Sequence, residues 1–327
     1  MTRGSESDGS GVGLDDGAAA HWRIRRRTLS LSRPLVMGIL NRTPDSFSDG
    51  GEIGTSEALL RKAEQLLEEG AAILDLGGES TRPGATPVPV REEIRRTRPA
   101  VEAIRRRWDV PVSIDTRNAE VARAALDAGA SIVNDVSGLA HDSDMAGVVQ
   151  EFGAGVVLMH MRGTPRTMAE YATYEDLLLE VADELGAAAE RAMEAGIPET
   201  SIVLDPGLGF AKTAAQSWEL LRELPRLSAL GFPLLVGPSR KSFLGAAIDL
   251  PPAERVTATA VACALAVERG ARIVRVHDVR PTFEALQVVE ALMAADPRAG
   301  RGVREGERDR EEPVDRPVNA LKQGGGS

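Results

Sequence analysis

The segment 41–51, NRTPDSFSDGG, follows the apolar run LVMGIL and sets Arg42, Asp45 and Phe47 among the Asn, Ser, Asp and Gly that ordinarily form turns. A loop that only reverses the chain has no use for an aromatic ring flanked by charges, so this one reads as a loop that holds something. Farther along, other short apolar runs end in side chains able to bind or react: Asp75 with Glu79, Asp115, Asn134 with Asp135, His160, Asp205, Ser239 with Lys241, and Arg275 with Asp278. Carboxylates accept from ligand N–H groups, amides donate and accept, and Lys and Arg hold anions or acceptor atoms. Any one of these residues could instead cap a turn or the next helix. Capping alone does not require the charges to converge, and their shared placement at the ends of the runs points to one polar site. The HxxH and CxxC spacings of a protein-built metal site are absent.

Side chains spread over the whole chain need a scaffold that gathers strand ends. The runs are LVMGIL (35–40), AAILDLG (71–77), VPVSID (110–115), SIVNDVS (131–137), GVVLMHM (155–161), SIVLDP (201–206), PLLVGPS (233–239) and RIVRVHDV (272–279). Near-continuous apolar strands suit a parallel sheet buried on both faces. Longer amphipathic segments alternate with them. TSEALLRKAEQLLEEG puts Leu59, Ala63, Leu66 and Leu67 on one face and closes at Gly70. NAEVARAALDAG, YEDLLLEVADELGAAAERAMEAG, ERVTATAVACALAVERG and TFEALQVVEALMAA follow the same plan, while Pro99 predicts a kink or a break in 91–107. Eight strands alternating with helices over about 260 residues predict an α/β fold, a (β/α)₈ TIM barrel whose site lies at the C-terminal ends of its strands. An open doubly wound sheet is the structural alternative, but it would not demand eight repeats.

The formal charge of -10, from 39 basic and 49 acidic residues, gives no overall basic field. The expected partners are therefore small molecules, with no nucleic acid and no membrane. Cys263 is the single cysteine, which excludes an intrachain disulfide and fits a reducing cytoplasm. The opening MTRGSESDGSGVGLDDG lacks the apolar core of a secretory signal, and VTATAVACALAV at 256–267 is too short to span a bilayer. Low apolar content at 1–20 and dense charge, Gly and Pro at 297–327 predict disordered tails around one domain at 21–296.

The motifs MGILNRTPDSFSDGG, GGESTRPGA, SIDT, NDVSG, LMHMRGTPRTM, LDPGLGFAK, GPSRKSFLG and RVHDV stand in the order and spacing of one family. Over about residues 35–293 the chain resembles the dihydropteroate synthases of folate biosynthesis. The resemblance implies a homodimeric TIM barrel, a transferase that joins 6-hydroxymethyl-7,8-dihydropterin pyrophosphate to 4-aminobenzoate with the help of Mg²⁺. It assigns the pterin to Asp115, Asn134, Met159, Asp205, Phe210, Lys241 and Arg275. Asn41 is implied as the Mg²⁺ ligand and, with Arg82, Arg275 and His277, as a holder of the pyrophosphate. Ser242, Thr81, Pro83 and Phe210 are implied for 4-aminobenzoate, while Asp45, Phe47, Thr81, Arg82 and Lys241 take part in the reaction. His277 and Phe210 each keep an alternative reading, as a core histidine and an ordinary packed aromatic.

One position departs from the pattern: family members usually carry a small aliphatic residue where this chain has Arg42. That arginine resembles degenerate paralogues of the synthase, although those tend to lose ESTRPGA or SRKS and this chain has both. A pterin-binding module of the corrinoid methyltransferases shares the fold, but would have no reason to hold SRKSFLG.

Overall fold

The structure, a computed structural model, describes residues 21–41, 51–79 and 88–295. Its first elements are an antiparallel hairpin of β1 (His21–Ile24) and β2 (Arg27–Ser30). The chain then alternates: β3 (Leu35–Asn41), α1 (Gly51–Glu68), β4 (Ile73–Gly77), α2 (Val90–Arg107), β5 (Val112–Asp115), α3 (Ala119–Asp127), β6 (Ile132–Asp135) and α4 (Met145–Phe152). The second half runs β7 (Gly155–Met159), α5 (Leu177–Glu194), β8 (Ile202–Asp205), α6 (Ala214–Arg222), α7 (Leu224–Ser228), β9 (Leu234–Val236), α8 (Ser242–Ile248), α9 (Val256–Glu268), β10 (Ala271–Val276) and α10 (Val279–Ala294). Strands β3 to β10 are parallel and close on themselves, β10 pairing with both β9 and β3, so the fold is the (β/α)₈ barrel. Each of the eight apolar runs overlaps one barrel strand, with β3 and β10 extending one residue beyond their runs.

Because side chains alternate along a strand, every barrel strand has an outer row and an inner row. Outer residues such as Leu74, Leu76, Ile114, Leu158 and Leu204 belong to the large core between sheet and helices. Met37, Ile73, Ile132, Val157, Val203, Leu235 and Ile273 form a separate interior cluster. Two residues beyond Ile73, Ile132, Val203 and Ile273 on this inner row stand Asp75, Asn134, Asp205 and Arg275. The barrel interior is thus apolar at its lower end and polar at its upper end.

The hairpin was not foreseen. Its alternating HWRI buries Trp22 and Ile24, and with Leu31 they join the interior cluster from below. The Trp22 indole N–H donates to the Ser201 carbonyl at 3.0 Å, and the Arg25 guanidinium reaches the carbonyls of Leu126 and Ala130 at 3.1 and 3.0 Å. Gly155 leaves the room this requires, since a Cβ there would stand 2.6 Å from Ile24 Cγ2. The plug closes the end opposite the polar mouth.

Pro99 does not break its helix: α2 is continuous through it. The proline stands on the exposed side, opposite the buried Glu93, Thr97, Ala100, Val101 and Ile104. Packing of that face outweighs the one ladder bond a proline cannot donate.

Candidate active site

Register brings the polar ends together. Asn41 pairs with Gly77, Gly77 with Asp115, and Asp115 with Asn134, giving a row across four neighbouring strands. Gly77 keeps the row open: a Cβ there would lie 3.3 Å from Asn41 Oδ1 and 3.7 Å from Asp115 Cβ. Met159 and Asp205 are paired on β7 and β8. From β10, Arg275 reaches across the mouth, its Nε donating to Asp75 Oδ2 at 2.7 Å and its Nη2 to Asp115 Oδ2 at 2.5 Å.

One guanidinium therefore serves two buried carboxylates. Burial pushes the Asp115 carboxyl up to about 7; Arg275 opposes the rise and the neighbouring Asp75 adds to it. Both Asp75 Oδ1 and Asp115 Oδ1 are buried with no hydrogen-bond partner among the described residues. Leaving such an acceptor unpaired is costly, so Asp115 Oδ1 is ready for an N–H donor.

On the other side of the mouth, Asp205 Oδ1 accepts from the Gly207 N–H at 2.8 Å. Burial raises the Asp205 carboxyl, against the fields of Lys241, Lys212 and Arg275. Lys241 donates through Nζ to the Leu208 carbonyl, and the same ammonium stands 4.3 Å from the centroid of the Phe210 ring. Burial lowers Lys241 to about 8, with Asp205 working the other way. Phe210 is thus a cation–π partner as well as a packed ring.

The backbone that carries Lys241 is pinned from behind. Arg255 donates through Nη1 to the carbonyls of Arg240 and Lys241 at 3.0 and 3.1 Å, and through Nε to Leu250 at 2.7 Å. Arg240, at φ 59°, makes a two-pronged pair with Asp278 at 2.9 and 2.6 Å. Ser242 opens α8 directly after Lys241 and is exposed. His277, just past β10, lies with Nδ1 3.0 Å from Ser239 Oγ, a partner at the rim in place of an ordinary core contact.

Residues 37–277 match the sequence profile of the pterin binding enzymes. Over 261 residues the chain is 50% identical to the dihydropteroate synthase of Synechocystis sp., covering 80% of this chain and 90% of that one. The Yersinia pestis dihydropteroate synthase, solved in complex with a sulfonamide drug, superposes with a TM-score of 0.79 at 43% identity, covering 84% of this chain and 100% of that one. The Xanthomonas albilineans dihydropteroate synthase with 4-aminobenzoic acid gives 0.79 at 44% identity, covering 85% and 99%. This chain belongs to the dihydropteroate synthase family.

Of the residues a dihydropteroate synthase resemblance selects, Asn41, Asp115, Asn134, Met159, Asp205, Phe210, Lys241, Ser242, Arg275 and His277 fall at or just beyond the strand ends of one barrel mouth. Asp45, Phe47, Thr81, Arg82 and Pro83, with Arg42, lie outside the described residues. Asp135 and His160, counted among the strand-end groups, turn away from the mouth. The Asp135 carboxylate caps its own loop, accepting from the N–H groups of Ser137 and Leu139 at 2.8 and 2.9 Å. Asp75 is the residue whose role sequence reasoning missed, and its signal was parity with Ile73 on the inner row.

Asn41 is also the residue that would hold Mg²⁺. Among the described residues no group of three or more His, Cys, Asp or Glu is placed to hold a metal ion. Asn41 supplies a single neutral oxygen beside Gly77 and Asp115, which fits a hard ion that takes most of its ligands from water and substrate phosphates.

Proposed function

We propose that this chain is a dihydropteroate synthase, a transferase that condenses 6-hydroxymethyl-7,8-dihydropterin pyrophosphate with 4-aminobenzoate to give 7,8-dihydropteroate and pyrophosphate. The observation that carries the reading is the buried set of unlike groups at one mouth, above all the unpaired Asp115 Oδ1 on a carboxylate held by Arg275 beside Asn134, with Asp205 and Lys241 at the ends of other strands of the same barrel. A pterin edge offers an amino group and a ring N–H beside acceptors. Asp205 and Asp115 take its donors, and Asn134 can serve either kind. Lys241 donates a hydrogen bond to the acceptors, and Arg275, held at two corners by Asp75 and Asp115, offers a guanidinium plane for stacking. Met159 and Phe210 supply apolar walls.

The pyrophosphate lies toward Asn41, Arg275 and His277, at the rim. Asn41 would hold Mg²⁺ there, and the ion would supply neutralising charge to the departing pyrophosphate. The C–O bond breaks with its electron pair on the pyrophosphate oxygen, the exocyclic carbon carries the positive charge, and the neutral aniline nitrogen of 4-aminobenzoate bonds to that carbon and passes its proton to the departing pyrophosphate. No dedicated base is needed for an amine already neutral at pH 7. Ser242 and the start of α8 receive the aminobenzoate carboxylate, and Asp45, Phe47, Thr81, Arg82 and Pro83 are assigned by resemblance to that end of the site and to exclusion of water. Sulfonamides would compete there, as the ligand of the Yersinia pestis structure suggests.

Helices α9 and α10 pack on each other, and both carry exposed apolar side chains, Val261 and Leu265 on α9 (52% and 41%) and Val288 and Leu292 on α10 (70% and 67%), apolar surface suited to a second copy of the chain. A lone buried Cys263 is consistent with the cytoplasm, and no helix of the described residues is long and apolar enough to cross a membrane.

Differential scanning fluorimetry tests the reading. Pterin pyrophosphate with Mg²⁺ should raise the melting temperature, and 4-aminobenzoate should raise it further only when the pterin site is filled. Stabilisation by neither compound would sink the proposal.

A further inference from the structure

Lys212 ends the loop that follows Asp205, and only 9% of it is exposed. Its Nζ lies 2.8 Å from His160 Nδ1, 3.0 Å from the Phe210 carbonyl and 3.5 Å from the His160 carbonyl. None of these partners is a carboxylate. Burying an ammonium without a contacting counter-ion is costly, and burial lowers Lys212 to about 7 although Asp205 works the other way. A methionine would fill the space without that cost, so the ammonium must hold something that packing alone would not.

What it holds is the loop between β8 and α6. Burial and the nearby Lys212 bring His160 down to about 4, so the ring is neutral and its Nδ1 can accept from the Lys212 ammonium. Nε2 lies 3.0 Å from Glu184 Oε2, an electrostatic contact outside hydrogen-bond geometry, and Arg162 fixes that carboxylate while standing 4.2 Å from the centroid of Tyr174. The Tyr174 hydroxyl returns to the same loop, donating to the Ala211 carbonyl at 2.9 Å. Consecutive carbonyls of Phe210 and Ala211 are thereby clamped, and at Gly207 the loop lies so close that a Cβ would stand 2.1 Å from the His160 carbonyl oxygen. From the opposite side Lys241 bonds the Leu208 carbonyl and covers the Phe210 ring. A shift of residues 207–212 would therefore move both Phe210 and Lys241.

We infer that Lys212, seated on His160, is a positioning residue that fixes Phe210 and Lys241 for the pterin. The inference rests on the synthase reading of this mouth, because it takes the ligand from there. Its own content is that the loop's anchor, outside the ligand's reach, sets pterin affinity.

Isothermal titration calorimetry with pterin pyrophosphate and Mg²⁺, on the full chain, tests it. Lys212→Met should weaken binding roughly tenfold to hundredfold, the loss of a charge-assisted hydrogen bond read as affinity. His160→Asn, whose amide oxygen can stand where Nδ1 stood, should stay within about threefold of the parent, whereas His160→Leu should behave as Lys212→Met does. A merely structural role would not separate the two His160 variants at matched melting temperatures. Parental affinity in Lys212→Met, or equal affinities in the two His160 variants, would overturn the inference. If Lys212→Met does not fold, the His160 pair decides alone. A parent protein that binds the pterin but forms no product would fail the synthase reading and leave this comparison intact.

Discussion

Asp115 and Lys241 titrate toward each other. Burial holds the first up to about 7 and the second down to about 8, yet pterin recognition needs the first ionised and the second protonated. Efficiency toward pterin pyrophosphate, kcat/KM, should therefore rise as pH passes about 7 and fall as it passes about 8. In Asp115→Asn the acid limb should disappear with the level reduced, and a parent profile flat from pH 6 to 9 would contradict this assignment. Stability runs the other way on the acid side. A carboxyl raised in the folded state holds an extra proton between its unfolded value near 4 and its folded one, so Asp115's contribution is lost as pH rises through that window. Most of these residues were legible as strand-end polar groups within recognisable motifs. Asp75 was legible as a strand-end carboxylate but not as the partner of Arg275, because that pairing spans 200 residues and depends on which row of the strand faces inward. Counting in twos from Ile73 would have marked Asp75 as an inner residue, and counting from Met159 would have turned His160 outward.

At the scale of elements, the eight apolar runs predicted the barrel strands because parallel strands buried on both faces have a composition little else shares. The β1–β2 hairpin lacked that signature: only Trp22 and Ile24 of its first strand are buried, and arginines surround them. It nonetheless plugs the lower end of the barrel. Trp22→Ala should cost about 3–5 kcal/mol, seen as a lower urea midpoint, as expected for an indole removed from a closed interior together with its bond to Ser201. A midpoint unchanged from the parent would mean that the plug carries no stability. Pro99 marks the converse error, since a residue that breaks isolated helices is tolerated where one helix face is anchored in the core.

For the whole molecule, the apolar faces of α9 and α10 should mediate self-association. Val288→Glu with Leu292→Glu changes two exposed positions, so the fold should persist while sedimentation shifts from dimer to monomer. A parent that is already monomeric, or a double variant that still dimerises, would remove that face from the account. The central claim is that one mouth of the barrel gathers a pterin and an aromatic amine and joins them. Mass spectrometry of the product from pterin pyrophosphate and 4-aminobenzoate, with and without Mg²⁺ and beside Asp205→Ala, tests it most directly. The account predicts Mg²⁺-dependent 7,8-dihydropteroate from the parent and none from the variant. A folded parent that forms no dihydropteroate, or an Asp205→Ala protein as active as the parent, would contradict it.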